Sequence, residues 1–458
     1  MTDRLDPLQD AGPLCRLGAV ELASAYAAKT VSPVEVAQAC LDRAETVQQR
    51  FNAFTLIDHG TALAAARASE ARWHAGRPLG PADGVPTTIK DIVLVAGWGV
   101  RYGTTTLPPV TAEADSPAVR LLRDAGAVLM GLTTTPEFGW KAVTDSAATG
   151  ITRNPIDPSL TSGGSSGGAA AAAACGAGVF HLGTDGGGSI RIPAAFCGVV
   201  GHKPTFGRVP AHPISAFGTL AHLGPIARTA ADAEVMLAAM SGRDTRDWFQ
   251  PPGSWPVEND FPGWPGLRVG IWRTPPHGAV DPAIASAFEV AVASLADAGA
   301  ALEEVQLPGA DLHATFQTLW FAGAASRLRA VPADRLAAVD PGLREVAELG
   351  AAIPLTAYLD AVMRRAEFGA AMDALLTRHD LLVSPAVAVP PFAAGAEVPP
   401  GSGLARWTGW AGFSYPINLS QQPACVVPAG SASLQFVSAR GYDFLALQTA
   451  AAWTALSR

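Results

Sequence analysis

Two clusters of glycine and serine in the middle of the chain contain the residues best suited to chemistry. The first cluster, GGSSGG, spans residues 163–168, and the second, GTDGGGSIR, spans residues 183–191. In the second cluster, three glycines at 186–188 directly precede Ser189. Successive glycines let backbone amides converge on one point without Cβ obstruction, as an oxyanion hole requires. A single run of this kind is usually an ordinary turn, but the pair favours a serine nucleophile that attacks a carbonyl group.

A serine nucleophile needs a base, and the chain offers two kinds of candidate. Histidine is the usual base. The histidine candidates are His181, His202, His212, His313 and His379. Neither serine lies in a predicted nucleophile elbow, the sharp turn from strand to helix that GxSxG marks in α/β-hydrolases, so such a triad has little local support. The other candidate is Lys90, at the end of the apolar VPTTIK run, in a chain whose basic residues are mostly arginine. An isolated lysine is usually solvated. As a base near neutral pH it would need a pKa lowered by several units, each worth about 1.4 kcal/mol, which burial can supply.

The elements around these residues alternate between helix and strand. Residues 18–48 predict two helices, the second capped by Ser32 with Pro33 in its first turn and Glu35 completing a capping box. An apolar strand at 85–95 contains Lys90. The other predicted elements are helices at 59–77, 116–126, 169–174 and 281–298, strands at 128–132, 268–272 and 301–305, and a surface loop at 390–403. This order is typical of an α/β fold.

The composition indicates a large globular protein and excludes several function classes. Of 458 residues, 49% are hydrophobic and 16% are charged, which favours a large buried core over disorder. The net charge of -8 gives no electrostatic support for nucleic-acid binding. Five scattered cysteines without CxxC spacing predict neither a disulfide framework nor a zinc site. We therefore expect a cytoplasmic protein, and neither a secretory signal nor a membrane-spanning tract is evident.

The motifs together resemble those of the amidase signature family. Lys90 in VPTTIKD, Ser165 in GGSSGG and Ser189 in GTDGGGSIR match its Lys, cis-Ser and Ser triad in order and spacing. Further matches are RNP at 153–155, IPAAFCGVVGHKPTFGRV at 192–209, LGPIART at 223–229, LLVSPAVAVPP at 381–391 and FSYPINLSQQPACVVPAG at 413–430. The resemblance implies a single large α/β domain over 1–458, with a central mixed, twisted β-sheet covered by helices on both faces. Its catalytic core would span about 80–235, and a variable region that shapes the substrate site about 240–410.

The resemblance also implies a reaction, the hydrolysis of a carboxylic amide to an acid plus ammonia or an amine. Neutral Lys90 would accept a proton from Ser165, which takes one from Ser189 as Ser189 attacks the amide and forms an acyl-enzyme. The remaining implied site residues are Gly139, Gly186, Gly187 and Gly188 for binding the substrate, and Ser166, Asp185 and Arg191 for support. The peptide bond from Gly164 to Ser165 is expected to be cis. No metal or other cofactor is implied, and the expected partners are a small-molecule amide and a second copy of the chain in a homodimer.

Some features depart from the family pattern or leave alternatives open. His202 stands where the family more often has an apolar residue, Gly186 lies at a position that varies, and the segment after Gly430 lacks a short loop. Eight aromatic residues are candidates for an apolar acyl pocket or for plain core: Trp98, Phe138, Trp140, Trp320, Phe321, Trp407, Trp410 and Phe413. The main alternative function is the amidase subunit of a glutamine-dependent tRNA amidotransferase, which passes ammonia to a partner. A scaffold without activity is a third possibility, which the intact triad disfavours.

Overall fold

The computed structural model describes residues 5–256 and 260–457, so residues 1–4, 257–259 and 458 of the predicted domain lie outside it. Within these ranges the α-helices are α1 (Ala19–Ala27), α2 (Pro33–Phe51), α3 (His59–His74), α4 (Pro117–Asp124), α5 (Gly167–Ala174), α6 (Arg191–Cys197), α7 (Ala230–Met240), α8 (Pro282–Asp297), α9 (Leu312–Leu328), α10 (Pro341–Ala351), α11 (Leu355–Arg378), α12 (Tyr415–Ser420) and α13 (Asp443–Leu456). The strands are β1 (Phe54–Ile57), β2 (Pro86–Lys90), β3 (Gly99–Val100), β4 (Val110–Thr111), β5 (Val128–Thr133), β6 (Asp145–Ser146), β7 (Gly150–Ile151), β8 (Phe180–Asp185), β9 (Val200–Lys203), β10 (His222–Ala227), β11 (Arg268–Ile271), β12 (Ala301–Glu304), β13 (Leu381–Pro385), β14 (Ala424–Ala429) and β15 (Ala432–Val437).

One mixed sheet organises the molecule. Its eleven strands follow the order β1-β5-β2-β8-β10-β9-β14-β15-β13-β11-β12. Strand β2 runs parallel to both β5 and β8, whereas β10 pairs antiparallel with β8 and β9. The predicted α/β fold with a central mixed sheet is therefore confirmed.

Hydrophobic cores lie on both faces of this sheet. Successive side chains of a strand point to opposite faces, and in β13 Leu381 and Val383 enter one core while Leu382 enters the other. Helices α1 to α4, α7, α8 and α13 build the first core, and α6 and α9 to α12 build the second. The prediction of helices on both faces is thus also confirmed.

Most local predictions agree with the structure, and one differs. The Ser32 hydroxyl accepts a hydrogen bond from the Glu35 amide, and the Glu35 carboxylate accepts one from the Ser32 amide, as a capping box requires. The strand predicted at 85–95 is shorter, because the chain turns at Lys90, whose carbonyl accepts from the amides of Ile92 and Val93. Residues 390–403 form the predicted loop.

The helices fall short of what a bilayer crossing requires, which is about 20 consecutive apolar residues. Within the described ranges, no single helix is long and apolar enough to span a membrane, and the pair α10 and α11, which passes only when joined, is bent by 99°.

Candidate active site

Lys90 is the last residue of a buried strand, and its amine points at the first serine cluster. The side chain is 0% exposed. Its Nζ lies 2.6 Å from the Ser165 hydroxyl and 3.0 Å from the Thr184 hydroxyl, hydrogen-bonded to both. Burial lowers the pKa of Lys90 well below its ordinary value, and the charge of Asp185 offsets only part of that effect. A neutral amine in contact with a serine is able to accept its proton.

The first cluster places Ser165 and Ser166 where α5 begins. The Gly164–Ser165 peptide bond is cis, as the family resemblance implies. The Ser166 hydroxyl donates to the carbonyl of Thr184 and accepts from the Thr184 amide, and the Ser166 amide donates to the carbonyl of Ser189. Ser166 therefore ties the two glycine clusters together.

The second cluster turns sharply between β8 and α6 and carries Ser189 at the edge of a cavity. The Gly188 amide donates to the Asp185 carboxylate at 2.8 Å, so in this structure it is not free to donate to an oxyanion. In the part of the chain that the structure describes, the amides of Gly186, Gly187 and Ser189 form no hydrogen bond to protein. These three amides are the remaining candidates for an oxyanion hole.

A buried ion pair between Asp185 and Arg191 holds this turn in place. Asp185 and Arg191 are both 0% exposed, with Arg191 Nε 2.9 Å from Asp185 Oδ2 and Nη2 3.0 Å from Oδ1. Burial alone would raise the pKa of Asp185, but the Arg191 charge and hydrogen bonds hold it well below its usual range. Arg191 also donates to Gln435 and Asn418, and Asn418 donates to Asp185. The turn is therefore anchored to α12 and β15.

Sequence reasoning missed three of these contributors, namely Thr184, Asn418 and Gln435. Thr184 lies inside the second cluster on β8, next to the strand that contains Lys90, so strand pairing was the signal that could have found it. Asn418 and Gln435 lie over 200 residues from Arg191, with no local pattern to link them. The shortened segment after Gly430 is a tight hairpin between β14 and β15, and Gln435 still reaches Arg191.

None of the histidine candidates contacts either serine in the described residues. His181 pairs with the Thr88 hydroxyl, and burial lowers its pKa to about 3. His202, the departure from the family pattern, pairs with Asp443 of α13. The other three have different surroundings. His212 lines the cavity, the His313 ring stacks on His277, and His379 is hydrogen-bonded to the Glu303 carboxylate. Among the candidate bases, Lys90 is the one whose side chain contacts a serine of the two clusters.

The cavity in front of Ser189 has a volume of about 270 Å³ and a partly aromatic wall. Ser165, Ser189, Gly139 and Gly186 line it, whereas Gly187 and Gly188 do not. A Cβ built at Gly139 would lie 3.4 Å from the Ser165 hydroxyl, so the Gly139 backbone borders that hydroxyl. The Trp320 ring stacks on Phe217 at 3.8 Å between centroids.

Some of the eight aromatic residues singled out in the sequence line this cavity, and the others pack elsewhere in the protein. Of the eight candidates, Phe138 and Trp320 line the cavity. The lining aromatic residues that the sequence did not indicate are Tyr102, Phe206, Phe217 and Phe249. Gly187 packs against the core aromatics instead, because a Cβ there would lie 2.7 Å from Trp407 and 2.8 Å from Phe316.

Comparison with known proteins agrees with this architecture. The Amidase family model matches residues 35–445. A glutamyl-tRNA(Gln) amidotransferase subunit of Chloroflexus aurantiacus is 35% identical over 437 residues, which cover 89% of this chain and 88% of that protein. An acylamidase of Rhodococcus erythropolis is 33% identical over 455 residues, which cover 96% of this chain and 95% of that protein. Among solved structures, a bacterial aryl acylamidase of the amidase signature enzymes aligns with a TM-score of 0.88 and 28% identity, covering 97% of each chain. This chain therefore belongs to the amidase signature family and is a hydrolase of carbon–nitrogen amide bonds.

Proposed function

We propose that the chain hydrolyses a carboxylic amide to an acid plus ammonia or an amine through an acyl-enzyme on Ser189. The observation that carries this proposal is the contact of 2.6 Å between the Lys90 amine and the Ser165 hydroxyl, in a setting where burial lowers the pKa of Lys90. A charged lysine there could donate a hydrogen bond but could not take a proton. A neutral lysine acts as the general base that a serine nucleophile needs.

The proton moves in a balanced circuit. As Ser189 Oγ bonds to the amide carbon, its proton passes to Ser165, and the Ser165 proton passes to Lys90. The carbon–nitrogen bond then breaks, and the proton returns through Ser165 to the leaving amine. Water uses the same relay to attack the ester of Ser189, which releases the acid and restores the starting protonation states.

Negative charge develops on the carbonyl oxygen in both steps. Amides of Gly186, Gly187 and Ser189 are the proposed donors, because the Gly188 amide is held by Asp185. One well-placed donor of this kind contributes about 3 to 4 kcal/mol to the transition state. The Asp185–Arg191 pair and Ser166 position these donors and do not touch the substrate in this proposal.

An aromatic or bulky amide suits the site. The stacked Phe217 and Trp320 rings offer a flat apolar face within the cavity, and one solved structure that shares this fold is that of an aryl acylamidase. We expect a screen of primary amides, anilides and esters to favour amides with an aromatic ring near the carbonyl. Ser189→Ala measured in parallel identifies turnover that depends on the nucleophile.

A fluorophosphonate reagent tests the nucleophile directly. We expect the reagent to modify Ser189 alone, with the adduct located by peptide mass mapping, and to leave Ser189→Ala unmodified. Modification at Ser165 or at a surface serine instead would refute the assignment of Ser189.

A second candidate function is the amidase subunit of a glutamine-dependent amidotransferase. It is supported by the 35% identity to the amidotransferase protein of Chloroflexus aurantiacus. This alternative requires companion chains, so affinity purification from the native host and glutamine-dependent ammonia release distinguish it from a stand-alone amidase. Light scattering of the purified chain measures the homodimer that we expect for the stand-alone enzyme.

A further inference from the structure

The active-site cavity contains a cation, the Arg327 guanidinium, that pairs with no carboxylate of the described residues. Arg327 lies in the last turn of α9 and lines the cavity. Within residues 5–256 and 260–457, its guanidinium forms no ion pair, and its close neighbours are the rings of Phe138 and Tyr102, with Cζ 4.3 Å and 4.8 Å from their centroids. Lys141, by contrast, is held by both Asp145 and Asp340.

The two rings hold the guanidinium in a fixed place close to the proposed relay. The Phe138 amide donates to the Tyr102 carbonyl at 2.7 Å, which joins the two ring-bearing residues. Phe138 directly precedes Gly139, whose backbone borders Ser165. Stacking occupies the flat faces of a guanidinium and leaves the N–H donors along its edge free for a planar acceptor.

The acidic groups around the cavity are already engaged elsewhere. The Asp247 carboxylate accepts from the amides of Ala211 and Phe249. The Glu137 carboxylate accepts from the Thr104 hydroxyl and the Asp340 amide. Partial burial lowers the pKa of Arg327 from its ordinary value, which is the mark of a cation short of both water and a counter-ion.

We infer that Arg327 is an anion-binding subsite for a carboxylate carried by the amide substrate. The preferred substrate is then a monoamide of a dicarboxylic acid, or an aryl amide with a carboxylate substituent, whose planar anion meets the edge of the guanidinium in two parallel hydrogen bonds. This inference rests on the proposed function, because it takes the cavity as the substrate site. Arg327 binds and selects in this scheme, and the bond-breaking chemistry stays with Ser189.

Matched substrates and matched variants test the subsite. The substrates are succinamate, glutaramate and adipamate, each paired with the isostere in which a methyl ketone replaces the carboxylate. The variants are Arg327→Gln, Arg327→Lys and the control Arg329→Gln, which removes a charge from the same helix end at an exposed position outside the cavity. Thermal melting verifies that each variant is folded.

We expect the wild-type enzyme to prefer the anion of at least one pair in kcat/KM. Arg327→Gln should lower the ratio of anion to ketone by about ten- to a hundred-fold, mainly through KM, as expected for the loss of a charge-assisted hydrogen bond. Arg327→Lys should retain part of the ratio, and Arg329→Gln should keep the wild-type ratio. Equal losses on both members of every pair, or an unchanged ratio in Arg327→Gln, would overturn the inference.

Calorimetry separates failure of the subsite from failure of the proposed function. Binding of the same monoamide anions is measured to Ser189→Ala, with and without Arg327→Gln. At least ten-fold weaker binding in the double variant supports the subsite even if the wild-type enzyme hydrolyses neither these amides nor those of the screen. The absence of all hydrolysis would refute only the proposed function. Hydrolysis of neutral amides without any Arg327-dependent binding of anions would refute the subsite and leave the function standing.

Discussion

Replacing Lys90 by methionine should separate stability from activity, because methionine matches the aliphatic part of the lysine side chain and has no group that titrates. Burial lowers the pKa of Lys90, so at pH values between the folded and the unfolded pKa the unfolded chain binds more protons than the folded protein. Each unit of this lowering costs the wild-type fold about 1.4 kcal/mol. The substitution also removes hydrogen bonds to Ser165 and Thr184, each worth about 1 kcal/mol. A lowering of more than about two units therefore makes Lys90→Met at least as stable as the wild type at pH 7.

The stability difference between the wild type and Lys90→Met should depend on pH in one direction. Because the folded pKa is lowered, wild-type stability rises with pH up to the ordinary lysine pKa near 10.4, where the unfolded chain also loses its proton. The advantage of Lys90→Met should shrink over the same range. Urea unfolding at a series of pH values measures it, while turnover of the best amide from the screen should fall by at least about a hundred-fold.

Lys141→Met is the matched control, because it should change stability in the opposite direction. Burial alone would lower the pKa of Lys141, but Asp145 and Asp340 raise it above its ordinary value. Its contribution is fully present below the unfolded pKa and is lost as the pH rises through the folded one, so Lys141→Met should be destabilised at pH 7. Near-normal turnover in Lys90→Met, or a destabilisation that does not change with pH, would refute a neutral Lys90 base.

Two further predictions concern the turn that carries Ser189. Asp185→Asn leaves the Arg191 charge buried and unpaired, so we expect the free energy of unfolding, measured in urea, to fall by about 3 to 5 kcal/mol. Because the folded pKa of Asp185 is lowered, the stability that this pair gives the wild type should be lost only in acid, as the pH falls from about 4 through the folded pKa. Gly187→Ala places a Cβ 2.7 Å from Trp407 and should lower the free energy of unfolding by about 1 to 3 kcal/mol. Gly12→Ala is the control, because no atom lies within 4 Å of its Cβ and its stability should not change. Equal melting temperatures for the two variants would contradict the packing described for this turn.

The order of strands and helices could be predicted from the sequence because the residues that begin and end each element lie next to it in the chain. The capping box at Ser32 and the proline after it fix where α2 begins, and the structure agrees. The strand containing Lys90 was predicted too long, since apolar residues beyond 90 are buried without being paired in the sheet. Hydrophobicity indicates burial, and it does not reveal where hydrogen bonding to a neighbouring strand stops.

The same distinction applies to the candidate site: residues within short motifs could be predicted from the sequence, whereas contacts between distant parts of the chain could not. The glycine clusters and Lys90 are visible in short motifs, but the role of each glycine is not. Gly188 precedes the serine as a donor would, yet its amide is taken by Asp185, three residues earlier. Arg327 gave no sequence signal, because its neighbours Tyr102 and Phe138 lie far away in the chain.

The chain contains a second fully buried lysine, Lys203, and comparing it with Lys90 shows what makes a base. Burial lowers the pKa of both amines. Among the residues that the structure describes, the Lys203 amine donates only to the carbonyl of Pro204, which has no proton to give, whereas the Lys90 amine contacts two hydroxyl groups. A lowered pKa is thus necessary for the proposed role, and contact with a proton donor decides which lysine can take it.

The Asp185–Arg191 pair has a consequence for Lys90 beyond its support of the turn. Asp185 is the nearby charge that acts to raise the pKa of Lys90. Arg191 binds that carboxylate through two nitrogens, and burial of the Lys90 amine outweighs the Asp185 charge, so the net effect lowers the pKa of Lys90. Strands β2 and β8 are parallel, which brings Lys90 and Asp185 to the same end of the sheet. The fold therefore places a carboxylate close enough to anchor the turn that carries Ser189, while burial still lowers the pKa of the proposed base.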